Sequence, residues 1–302
     1  MSTVFREVLL PSPGAGDETV PLVRTFYVYH HTLNDLPSDE ILLEGLSAYD
    51  TLVLESVEPS TAFNITDNTL LNGDPSQRLL AALEYDAKRN PRAKIISLLA
   101  QTGMKSVVVE PPADSKLWTL RRKRLLQLEA ATSNVLEDGL GVKSLSAYTK
   151  ARRLYIKDGM VPRDETATDG IMSLHEQSAR ILSFWGSAHM SIALALSREG
   201  IAQKVEIPEY QVLDIEPCAQ IVDELRRGRD VETARFIPWL VVEMVNSALL
   251  EGVEVQSKGK GRVTQMGGEI IDRIVSMPHE EADDYLKLAD DGVRKRRTLV
   301  IP

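Results

Sequence analysis

The chemistry legible in this chain sits at four places where an apolar segment ends. Val28-Tyr29-His30-His31-Thr32 closes one such segment and Gly186-Ser187-Ala188-His189 closes another. Glu55 follows Thr51-Leu52-Val53-Leu54, and Glu110 follows Ser106-Val107-Val108-Val109. An imidazole takes or gives a proton near neutral pH. A carboxylate at the end of a buried strand is partly desolvated, so unless paired its pKa rises into the range useful for acid–base work. Imidazoles and a carboxylate brought together could also ligate a divalent metal and activate water. Gly186 permits a sharp turn, and the helix start after it offers backbone N–H donors to an anion or a developing oxyanion. Plainer alternatives stay open. A lone histidine is often a satisfied structural residue, and each glutamate could cap a helix or meet an arginine.

The elements that must position these groups follow from apolar periodicity and punctuation. Strands are predicted over 24–30, 51–55, 106–110, 180–185 and 203–207. Between them fall a helix over 38–46 capped by Ser38, a helix begun at Asp74-Pro75 and another restarted at Pro91. Further helices are predicted over 114–136, 144–156 (broken by Asp158-Gly159), 162–179 and 187–198, with Gly200 as C-cap. The run Arg121-Arg122-Lys123-Arg124 reads as a solvated helix face. From Pro217 the pattern is mainly helical, with Lys258 to Arg262 a loop. Alternating strands and helices imply an α/β fold. The expected sheet is mixed or mainly parallel, built from two related halves flanked by helices, with a helical C-terminal addition. The expected division is an N-terminal segment 1–23, a core 24–210 with a helical insertion at about 114–157, and a helical region 211–302 packed on that core.

Composition narrows the function classes. The chain has 302 residues, 43% hydrophobic and 26% charged, enough to bury a core without disulfides or metals. A net charge of −9 argues against a nucleic-acid or anionic-membrane binder. One cysteine, Cys218, excludes an intramolecular disulfide and a cysteine-rich metal site. It reads as a bland buried cysteine, and His175 and His279 read as structural or surface residues. The first residues lack a secretory h-region and no apolar run approaches a membrane span, so a cytoplasmic protein is expected. There is no G-x-S-x-G elbow, H-E-x-x-H helix or Walker loop.

In order, these pieces resemble the TraB/Tiki-like group, with its pheromone-shutdown, ChaN-type and erythromycin esterase relatives. That group shows a strand with G-x-x-H, a strand ending in glutamate, a second glutamate-ended strand, an Arg-Asp-Glu helix start and a final G-x-x-H. Here they are His30-His31, Glu55, Gly103 through Glu110, Arg163-Asp164-Glu165, and Gly186-Ser187-Ala188-His189. Val28 stands where the pattern has glycine relative to His31 and Tyr27 where it has glycine relative to His30; His31 is the favoured family position, because His31-Thr32 matches His189-Met190 in being followed directly by the helix-side residue. The resemblance covers 24–206 and implies a hydrolase acting on an ester or amide (peptide-like) bond. His31, His189, Glu55 and Glu110 would activate water, and Arg163 would hold a substrate carboxylate or oxyanion. His31, His189 and Glu55 would be the ligands of any divalent ion (Mn, Co or Zn). His30, Ser187 and Arg163 would contact a small-molecule or peptide substrate. The competing expectation is a ligand- or partner-binding protein on the same scaffold, with the C-terminal third forming an oligomer or partner interface. Haem binding through Tyr27, Tyr29 or the neighbouring histidines is a weaker option. The hydrolase expectation requires His31, His189, Glu55 and Glu110 to converge within about 10 Å.

Overall fold

The structure, a computed structural model, describes residues 4–10, 22–28, 36–55, 94–95, 104–107, 109–111, 115–177 and 179–301. Tyr29, His30, His31 and the helix expected from Asp74-Pro75 lie outside these residues. In chain order the described elements begin with β1 (Phe5–Val8), β2 (Val23–Val28), α1 (Asp39–Ala48), β3 (Thr51–Leu54) and β4 (Lys105–Val107). Then come α2 (Lys116–Asp138), α3 (Val142–Tyr155), a π turn (Ile156–Met160), α4 (Val161–Glu176) and β5 (Ile181–Gly186). A 3-10 turn (Ser187–His189) leads to α5 (Ser191–Arg198) and β6 (Gln203–Pro208). The remainder is α6 (Pro217–Arg226), a 3-10 turn (Thr233–Phe236), α7 (Ile237–Leu250), β7 (Val255–Ser257), β8 (Gly261–Val263), α8 (Gly268–Val275), α9 (His279–Arg294) and β9 (Leu299–Ile301).

The chain divides into two compact units, each made of two separate segments. One is Met1–Ser115 with Arg163–Glu209, the other Lys116–Pro162 with Tyr210–Pro302. This differs from the division expected from the sequence: the helical stretch 116–162 groups with the C-terminal third, because its helices pack there.

The first unit is an α/β layer. Its sheet has the order β1-β6-β2-β5-β3-β4, with β1 antiparallel to β6 and the other pairs parallel. The inner strands are buried on both faces, as in a parallel sheet covered on both sides; Thr51 to Leu54 are all buried. Phe26 and Phe184 stack at 5.2 Å on the face where Leu42 and Leu46 of α1 pack. On the other face Thr25 and Ser183, paired in register, share a hydrogen bond of 2.6 Å. Ser38 caps α1, its Oγ accepting from Ile41 N at 3.4 Å. Arg24 clamps β2 to β6 through a buried two-point pair with Glu206, 2.6 and 3.2 Å. The N-terminal segment, expected to precede the sheet, contributes the edge strand β1. Its four residues give too short a pattern to read, and pairing with β6 decides their conformation.

Strand order also marks where this sheet opens. The connection leaving β3 runs to β4, towards one edge, while that leaving β5 runs to β6, towards the other. Neighbouring strands whose outgoing connections diverge form a crevice beyond their carboxyl ends in open α/β sheets.

The second unit is helical with a small sheet, β8-β7-β9, which a mainly helical reading of the C-terminal third misses. Of Lys258 to Arg262, expected as a loop, residues 258–260 turn the β7–β8 hairpin and Gly261 and Arg262 begin β8, with Gly259 and Gly261 at φ 83 and 76. Asp158-Gly159 does not break the helix. It widens into the π turn, where Asp158 meets Arg124 at 2.6 Å and Gly159 lies against Arg121. The middle of α7 (Leu240, Val241, Met244, Val245) is buried, and beside it Glu243 receives Arg152 of α3 at 2.6 Å. Cys218 is buried.

Candidate active site

The crevice-forming strands carry the groups. β3 continues its pairing with β5 through Glu55, whose N–H donates to Phe184 O at 3.1 Å. The Glu55 side chain then reaches across: Oε2 accepts from the backbone N–H of Gly186, the last residue of β5, at 2.7 Å. Gly186 releases the chain into the 3-10 turn, which ends at His189 above the Trp185 ring (centroids 6.1 Å apart). Arg163 enters from the first turn of α4, and Glu110 from the segment after β4. That segment lies close because Gly170, seven residues after Arg163 on α4, has no side chain: a Cβ there would sit 2.5 Å from Val109 Cβ.

Arg163 is the hub. Nη2 donates to Glu55 Oε1 at 2.8 Å, Nε donates to Glu110, and Nη1 lies 3.2 Å from His189 Nε2. Glu55 Oε1 is itself 3.2 Å from His189 Nε2. The other ring nitrogen, Nδ1, lies 2.5 Å from Asp164 Oδ1, and Ser191 Oγ donates to Asp164 Oδ2.

Three carboxylates against one guanidinium leave this cluster short of positive charge, which explains the proton affinities. Burial works against the imidazolium of His189, but the charges of Asp164 and Glu55 outweigh it, and the ring is pushed up to about 10. Burial raises Glu110, with Glu55 adding to it, and the nearby Arg163 offsets only part. Burial disfavours the charged Arg163 too, yet Glu55 and Glu110 hold it more firmly protonated than usual. At neutral pH the site therefore presents an imidazolium, a form suited to donating a proton.

The structure brings Glu55, Glu110, Arg163 and His189 together. His30 and His31 lie outside the described residues. Ser187 is buried at the start of the 3-10 turn. The plainer reading of the two glutamates also holds in part, since both meet an arginine. That changes the role expected of Arg163: its three nitrogens face Glu110, Glu55 and His189, so its fork is engaged within the protein rather than presented to a substrate anion. The metal expectation fits poorly with the donors described. Glu55 and His189 both adjoin the Arg163 guanidinium, a cation that a divalent ion would have to face. Among the described residues no group of three or more His, Cys, Asp and Glu is arranged to hold a metal ion. For haem, Tyr27 is fully buried in the sheet opposite Trp185.

Asp164 and Ser191 are site residues that sequence reasoning did not nominate. Asp164 is adjacent to Arg163 in the Arg-Asp-Glu stretch, and Ser191 stands two residues after His189. Those adjacencies were the available signal. Among the described residues no helix is long and apolar enough to cross a membrane. No protein-family model, curated protein or solved structure matches this chain.

Proposed function

We propose that the chain is a hydrolase of an ester or amide bond, cytoplasmic, on a scaffold of the TraB/Tiki-like kind. One observation carries this reading: Glu55, Arg163 and His189 converge where the outgoing connections of β3 and β5 diverge, the place such sheets use for ligands. Glu55 acts as base and takes a proton from water, whose oxygen bonds to the substrate carbonyl carbon. The His189 imidazolium gives its Nε2 proton to the leaving alkoxide or amine as the C–O or C–N bond breaks. The proton on Glu55 then returns to Nε2 across their 3.2 Å contact, which resets both groups. Arg163, with Glu110 behind it, holds Glu55 in place and balances its charge. No step passes through a metal.

The test is hydrolysis of a panel of uncharged esters and amides by purified protein. Glu55→Gln and His189→Gln are each expected to lower the rate by about 100-fold or more. The rate should fall as pH rises towards about 10, where His189 loses the proton it must donate. Chelation and re-addition of Mn, Co or Zn reads the metal alternative directly. A second reading, a non-catalytic binding protein, is favoured by the engagement of all three Arg163 nitrogens within its own cluster. That reading predicts no turnover of any panel member and undiminished ligand binding by His189→Ala.

A further inference from the structure

We infer that Asp164, locked by Ser191, is the positioning residue that decides which edge of the His189 ring meets Glu55 and Arg163. The donor count requires it. An ionised carboxylate only accepts hydrogen bonds. Asp164 receives Ser191 Oγ on Oδ2 and the ring on Oδ1 at 2.5 Å, so Nδ1 must carry the hydrogen on that edge. Nε2 is then the ring atom left to exchange protons, and it is the atom that faces Glu55 Oε1 and Arg163 Nη1, each at 3.2 Å. Asp164 is itself held. It is fully buried, as is Ser191, and its backbone carbonyl accepts from Thr168 Oγ1 at 2.7 Å, one turn further along α4. Thus α4 supplies both the hub arginine and the anchor of the histidine from consecutive residues. The orientation stands whatever the ring does; its kinetic consequence rests on the hydrolase reading.

The experiment is nitrogen-15 NMR of the intact, labelled chain at neutral pH, with the His189 signals assigned by their disappearance in His189→Gln. The wild type is expected to show a far-downfield Nδ1–H resonance, the signature of a short bond to a carboxylate. Asp164→Asn replaces the ionised acceptor by a neutral amide, a weaker partner for Nδ1–H, so that far-downfield resonance should be lost. A resonance that survives Asp164→Asn unchanged overturns the inference. If Asp164→Asn does not fold, Ser191→Ala decides: a displaced Nδ1–H line supports the role, and an unmoved line overturns it. On the hydrolase reading, Asp164→Asn also lowers kcat by up to the order of 10⁴, with KM little changed, as replacing the orienting aspartate does in serine protease triads. Loss of the resonance in a protein that hydrolyses nothing upholds the orientation and overturns the hydrolase reading instead.

Discussion

Arg163 and His189 show how a buried charge cluster sustains itself. Each carboxylate near Arg163 would be costly alone, and the guanidinium makes both tolerable. Arg163→Met is therefore expected to destabilise the protein by about 3–5 kcal/mol in urea denaturation, since Glu55 and Glu110 both lose the guanidinium that balances their charge; a loss below about 1 kcal/mol would mean that the two ion pairs add little to stability. His189 gives a second prediction, in pH. Its folded-state pKa lies near 10 against an ordinary 6.5, so the folded protein holds the proton more tightly. The stability this contributes is fully present below about 6.5 and is lost as pH rises through about 10. Denaturation midpoints measured between these limits should fall more steeply for wild type than for His189→Gln, and parallel curves would refute the charged ring.

At the scale of elements, strand ends and helix starts act as brackets for side chains, and two glycines set how closely the elements meet. A Cβ at Gly170 would meet Val109 Cβ at 2.5 Å and its Cα at 3.3 Å, so the segment carrying Glu110 would have to move. A Cβ at Gly45 would meet a terminal methyl of Leu182 at 3.2 Å, which can give way. Alanine favours a helix over glycine by about 1 kcal/mol. Gly45→Ala is therefore expected to be near neutral, whereas Gly170→Ala should cost about 1–3 kcal/mol and disturb the Arg163–Glu110 pair. Thermal denaturation of the two variants side by side checks the ordering. The same elements show what could be read beforehand. Ser38 and the strands leading to Glu55 and His189 carry local signals, a cap and apolar runs. The strand β1 and the strands β7 to β9 carry four or three residues each, and only pairing defines them.

At the scale of the molecule, the chain passes from one unit to the other and back, so each unit depends on two distant segments. In the second unit Arg152 of α3 is held by Glu243 of α7 at 2.6 Å and lies 4.9 Å from the Trp239 ring. A chain truncated after Glu209 keeps α2 and α3 without α7, exposing their apolar faces and stranding Arg152. It is expected to aggregate or bind a hydrophobic dye, by light scattering and fluorescence, and a monomeric, dye-silent truncation would contradict this.

The amino-acid sequence by itself determined the alternation of strands and helices and the residues that close each strand, because periodicity, caps and turn residues act over a few positions. It also placed glutamate and histidine where an α/β sheet opens. The tertiary structure decided what those residues face. Arg163 took two carboxylates and a histidine as partners instead of an open position for a substrate anion. Asp164 and Ser191 entered the site, and residues 116–162 joined the C-terminal third. These outcomes depend on charge compensation and packing between segments far apart in the chain, which no local pattern encodes.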